Sequence, residues 1–158
     1  MSDVRAKTTS ITGRCLCGAV RYTVTGAPKW VAHCHCESCR RNTGSAVATF
    51  VGFHRDQVDF VQGERRLFAS SPGVRRGFCA DCGTPISYEA DRFGDEIHLY
   101  LCTLDDPDAF PAESHVYHGE RVAWFEIHDA LPRYAATARA DAPASWGPLH
   151  EPGEKSTT

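Results

Sequence analysis

Short alternations of apolar and polar residues run through most of this chain, each broken after a few positions by glycine, proline or a polar pair. AVRYTVTG (19–26) alternates cleanly and stops at Gly26-Ala27-Pro28. SAVATFVGF (45–53), QVDFVQG (57–63) and ERRLFAS (64–70) are equally short and rich in β-branched or aromatic residues, as are VRRGFC, TPISYEA and DEIHLYLC after them. A period of two in segments bounded by turn residues predicts strands rather than helices. Long amphipathic helices are absent, and ESCRRNTG (37–44) fits one helical turn or two. The pattern therefore predicts a mostly β domain over residues 11–134. A loose polar arm is expected over residues 1–10. The Ala, Pro, Gly and polar composition after Tyr134 predicts a flexible tail over residues 135–158.

Composition narrows this picture. At 158 residues and 42% hydrophobic content, the chain suits one well-packed domain and is short for two. The N-terminus MSDVRAKTTS has no apolar core and no stretch approaches 18 consecutive apolar residues, so a soluble, cytoplasmic protein is expected. The net charge of −3 is uneven: residues 12–78 hold ten Lys/Arg against four Asp/Glu, and residues 79–134 hold three against twelve. The first half can attract a small anion, but this is not the basic footprint of a nucleic-acid binder.

The eight cysteines change the picture most. In a reducing compartment they point to metal ligation. An even count also permits four disulfides, although Cys15/Cys17 and Cys34/Cys36 are too close in sequence to bridge internally without strain. They form three clusters and a stray: Cys15-x-Cys17, Cys34-x-Cys36-x-x-Cys39, Cys79-x-x-Cys82, and Cys102. Residues i and i+2 of an extended segment face one side, so CxC aims two thiolates at one ion, and CxxC does so from a tight turn. Gly18 follows Cys17 and Gly83 follows Cys82, which lets backbone N–H groups approach the sulfurs. This shared punctuation groups Cys15, Cys17, Cys79 and Cys82 as a closed four-cysteine zinc site. Buried reduced thiols are the alternative.

Cys34, Cys36 and Cys39 then supply three of four tetrahedral positions, and an open position marks a reactive zinc. The alternative is a structural ion completed by His33, His35 or Cys102. Cys102 lies in the apolar run IHLYLCTL and reads as a small core residue. In an extended segment His33 and His35 point away from the thiolates, and His98 reads as a hydrogen-bonded structural histidine. His115 and His118 receive no role.

GRCLCGAVRY, HCHCESCRRNTG, RRGFCADCGTPI, LYLCTLDDP and VAWFEIHDALPRY together resemble the family of glutathione-dependent formaldehyde-activating enzymes, which includes a centromere-associated branch. The resemblance covers residues 11–134. It implies a β-tent fold with two zinc ions per chain, one structural on Cys15, Cys17, Cys79 and Cys82, the other catalytic on Cys34, Cys36 and Cys39. It further implies a carbon–sulfur lyase that combines glutathione and formaldehyde to S-hydroxymethylglutathione. Cys102 departs from the small residue expected before Thr-Leu-Asp-Asp.

Glutathione carries two carboxylates, and Arg40, Arg41 and Arg76 are the basic residues nearest the cysteine clusters, which makes them candidates for a carboxylate clamp. Thr43 and Gly44 are candidates for an oxyanion-stabilising turn. No Ser-His-Asp or paired-carboxylate arrangement competes. Two readings follow: a zinc enzyme joining glutathione or a related thiol to a small aldehyde, and a non-catalytic zinc-ribbon module that contacts a protein or nucleic acid.

Overall fold

A computed structural model describes residues 10–138. In chain order its elements are β1 (Ile11–Arg14), β2 (Arg21–Val24), β3 (Trp30–Cys34), α1 (Glu37–Thr43), β4 (Ala48–His54) and β5 (Val58–Gln62), then β6 (Arg66–Ser71), β7 (Val74–Phe78), β8 (Pro85–Ala90), β9 (Glu96–Tyr100) and β10 (Ser114–Val116). Short 3₁₀ turns join several of them. The chain is mostly β, as its alternating pattern predicts, and α1 is the one α-helix among the described residues. The arm expected at residues 1–10 and the tail expected at 135–158 lie almost wholly outside the described residues.

The described residues divide into two compact units, 10–29 with 52–109 and 30–51 with 110–138. In the first, β1, β2 and β5 form an antiparallel sheet with β2 in the middle. Strand β2 keeps the alternation read from its sequence: Tyr22 and Val24 are buried and Arg21 is exposed. The Tyr22 hydroxyl bonds the Thr103 hydroxyl at 2.7 Å. Strands β6 to β9 follow one another as an antiparallel meander, with a register shift in β7 between Gly77 and Phe78. Strand β9 is buried at every position. Its polar members are satisfied inside this unit: Glu96 accepts from Lys29 Nζ at 2.8 Å and lies 3.0 Å from His98 Nε2. Phe53, Ile86, Ile97 and Leu99 are fully buried. Each such side chain contributes roughly 1.5–3 kcal/mol of transfer free energy.

In the second unit β3 lies between β10 and β4. Strand β10 runs parallel to β3 and pairs His115 with His33 and Val116 with Cys34. Directly after β3 the chain turns into α1. Cys36 is its N-cap, and Gly44, in the left-handed region at φ 66°, ends it with its N–H on Arg40 O. This seven-residue helix is the one-or-two-turn segment read at ESCRRNTG.

Candidate metal centres

The first cluster lies wholly in the first unit and is built from two turns of the same construction. Cys15 N–H donates to Val20 O and Gly18 N–H to Cys15 O; Cys79 N–H donates to Thr84 O and Gly83 N–H to Cys79 O. Gly18 and Gly83 both sit at φ +78°, a backbone state that L side chains rarely adopt. The turns are cross-tied by Leu16 N–H to Thr84 Oγ1 at 3.0 Å. Cys15, Cys17, Cys79 and Cys82 thereby bring four sulfurs within 4.8 Å of one another. Sulfurs of Cys15 and Cys17 are 3.6 Å apart, those of Cys17 and Cys79 3.8 Å. Zinc–sulfur bonds of about 2.3 Å require a tetrahedral edge of about 3.8 Å, whereas a disulfide requires about 2.05 Å. The spacing fits a shared ion, and all eight cysteines are free thiols.

Electrostatics agree with that fit. The Thr84 hydroxyl, with the Cys17 and Thr84 amides, lowers the Cys82 thiol to about 5. Burial pushes Cys15 up, but the Val20 amide on its sulfur and the neighbouring thiols hold it below the ordinary value. Cys17 receives help from the Ala19 amide, yet burial and the other three sulfurs push it to about 12. Four crowded sulfurs cannot all ionise unaided, and a divalent cation removes the conflict.

The second cluster lies in the second unit and is local. Cys34 ends β3, Cys36 caps α1 and Cys39 sits in its first turn, with the Cys36 sulfur accepting the Cys39 N–H at 3.3 Å. All three are buried, at 7%, 3% and 5% exposure. Cys36 holds the Cys34 thiol well above its ordinary value; Cys36 gains from Cys34, but Cys39 and burial push it up to about 11. Among the described residues no histidine, carboxylate or further cysteine joins these three sulfurs as a fourth ligand. Cys102 corrects the expectation of a core thiol: it is exposed, on the 3₁₀ turn Leu101–Thr103 that ends the apolar run of β9. The alternation that placed it inward stops with the strand.

The histidines flanking Cys34 have other partners: His33 Nδ1 lies 2.8 Å from Thr49 Oγ1, and His35 meets histidines that the sequence did not recommend. His35 is 2% exposed, with Nε2 2.8 Å from His115 Nδ1. His115 Nε2 in turn lies 2.9 Å from Asp129 Oδ2. Tyr117 takes a left-handed conformation at φ 51°, uncommon outside glycine, and His118 follows with its ring edge-on to His35 at 5.1 Å. Burial, then His115, His118, His33 and Arg121, lower His35 to about 4. Its Nδ1 is buried without a hydrogen-bond partner. Asp129 is held down at about 2, first by His115. Parallel pairing of β10 with β3 creates this network across some 80 residues of chain, so no local motif announces it.

A family model described as glutathione-dependent formaldehyde-activating enzyme matches residues 10–120, which include both cysteine clusters. The chain belongs to this family. A crystal structure of a Rhodobacter sphaeroides protein, determined as a structural genomics target, aligns with a TM-score of 0.53 at 22% identity. The alignment covers 64% of this chain and 96% of that one, and at this identity it bears on the fold alone. No curated protein matches the chain.

The family name raises the question of where a glutathione could be held. Arg40 donates from Nε to His35 O and from Nη2 to Glu120 O, bracing the loop after β10 against α1. Arg41 pairs with Glu37 one helical turn away, and its side chain is 73% exposed. Arg76 belongs to the first unit, 6% exposed, with its guanidinium over the Tyr88 ring and bonded to Ser70 and Tyr100. Thr43 donates its hydroxyl to Cys39 O, and the Gly44 N–H is committed to the helix end.

Proposed function

We propose that this member of the glutathione-dependent formaldehyde-activating family is a cytoplasmic, zinc-dependent carbon–sulfur lyase with a β-tent fold over residues 11–134. In the reaction assigned to it, the sulfur of glutathione or a related thiol bonds to the carbon of formaldehyde or another small aldehyde. The carbonyl π bond opens onto oxygen, and the thiol proton ends on that oxygen. The observation that carries this reading is the difference in ligand number: four sulfurs in one cluster, and in the other three without a fourth ligand among the described residues. Zinc on Cys34, Cys36 and Cys39 would supply a thiolate at neutral pH and polarise a carbonyl.

The chain's own residues do the rest. The Cys39 amide stabilises the Cys36 sulfur, and burial of all three cysteines keeps competing water away. Arg41, with its exposed guanidinium, is the best placed of the three clamp candidates for a glutathione carboxylate. Arg40 beside it ties α1 to the loop after β10 through Glu120 O, and Thr43 with Gly44 closes the helix that carries Cys39.

Cobalt substitution tests the reading. Adding glutathione to the cobalt-loaded protein is expected to strengthen thiolate charge-transfer absorption, as a three-sulfur centre becomes a four-sulfur one. S-methylglutathione, which has no thiol to ionise, is expected to leave the spectrum unchanged. An unchanged spectrum at millimolar glutathione would instead favour the non-catalytic binding module.

A further inference from the structure

We propose that His33, His115 and Asp129 form a third metal site, for a divalent first-row transition ion such as Zn2+, Co2+ or Fe2+, separate from both cysteine clusters. One ligand atom from each of the three lies within 4.8 Å of the others, all inside the second unit. Proximity of two imidazoles and a carboxylate is common enough; what singles this group out is how each ligand is held from behind. His33 Nδ1 lies 2.8 Å from Thr49 Oγ1, and an N–H donated there leaves the Nε2 lone pair for an ion. His115 Nδ1 lies 2.8 Å from His35 Nε2, which likewise reserves His115 Nε2. Asp129 Oδ1 accepts from Leu131 N–H at 3.0 Å and Arg133 Nη1 at 3.1 Å, while Oδ2 faces His115 Nε2 at 2.9 Å. Metal-binding imidazoles and carboxylates are characteristically fixed by such bonds to their non-ligating atoms. All three have them.

The present 2.9 Å between His115 Nε2 and Asp129 Oδ2 is a hydrogen-bond distance. Metal bonds of about 2.0–2.2 Å at a tetrahedral angle need an edge of about 3.3 Å, so the ion replaces the bridging proton, which leaves to solvent, and the pair opens by about 0.4 Å. Asp129 can make that movement: its side chain is one-quarter exposed and its segment carries no strand or helix. Arg133 and the Leu131 N–H both bond Oδ1, which lies 3.2 Å from His115 Nε2, so they orient the carboxylate and leave Oδ2, the nearer oxygen, as the ligand. Two nitrogens and one oxygen suit borderline ions and exclude calcium, which takes six to eight oxygens. Three protein ligands also leave room for an exchangeable one. The family match ends at residue 120, so Asp129 and Arg133 lie beyond it and the site is not a feature that match brings with it.

Titration of the full chain with Co2+ alone tests this. The wild type is expected to take three ions, two with intense thiolate charge-transfer bands and one with weak ligand-field absorption only. Asp129→Asn is expected to take two, with the thiolate bands unchanged. Thr49→Val, which removes only the support behind His33, is expected to weaken the third ion about tenfold. It decides the matter should Asp129→Asn fail to fold. Saturation of the wild type at two ions, a third ion retained by Asp129→Asn, or undiminished third-ion affinity in Thr49→Val would each overturn the proposal.

Discussion

The two cysteine clusters use one ligand chemistry in opposite ways. The four-sulfur cluster joins residues more than 60 positions apart, yet Cys17 is exposed and Cys82 only partly covered. The three-sulfur cluster spans six positions, from Cys34 to Cys39, and is buried throughout. Exposure therefore does not order the two clusters as the proposed reactive centre and staple would suggest, whereas sequence separation does. A cross-link closing a long loop removes much of the unfolded chain's freedom, while one closing a six-residue stretch removes little. A metal ion in the first cluster would tie distant parts of its unit together. The second sits on backbone that β3 and α1 already organise.

The largest expected effect is at the long-range cluster. Cys82→Ser or Cys79→Ser should abolish cooperative folding, because structural zinc is worth roughly 10–16 kcal/mol and a whole domain only about 5–15. Far-UV circular dichroism and melting check this, and a soluble Cys82→Ser protein with unchanged melting would refute it. Chelator challenge sharpens the comparison further. Of the two thiolate-bound equivalents, one should leave with little change in circular dichroism and the other only together with unfolding; simultaneous loss of both would mean that the clusters are equally structural.

A smaller effect is expected of Cys36→Ser. It should lose one metal ion while serine still caps α1, leaving a stability loss of about 1 kcal/mol and a melting shift of a few degrees. Collapse as complete as in Cys82→Ser would contradict the local character of this cluster. The smallest effect belongs to Thr84→Val, which removes the hydroxyl 3.1 Å from the Cys82 sulfur and the tie to Leu16. Metal affinity of the four-sulfur cluster should fall about tenfold, with the three-sulfur cluster untouched in cobalt spectra.

Much of the fold was legible because short alternating segments bounded by turn residues leave few alternatives to strands. AVRYTVTG, SAVATFVGF, QVDFVQG, ERRLFAS, VRRGFC, TPISYEA and DEIHLYLC correspond to β2 and β4 through β9. Strand β6 shows the limit of that reading: its pattern announced a strand, but all six positions are exposed, Leu67 and Phe68 among them, because it lies at an edge. Strand β10 was illegible. Three residues carry no periodicity, and its only reason to be extended is the pairing with β3.

What the sequence by itself determined is the set of cysteines that could hold metal ions and their grouping, since CxC, CxxC and the glycines after them are local devices whose geometry follows from a few backbone angles. The tertiary structure alone decided what surrounds them. Cys102 faces outward because the chain leaves β9 in a 3₁₀ turn one residue before it. His35, His115 and Asp129 meet because a parallel strand pairing and a loop return bring together residues with no common motif. Local chemistry is written in spacing, whereas contacts between distant residues depend on the packing of every element between them.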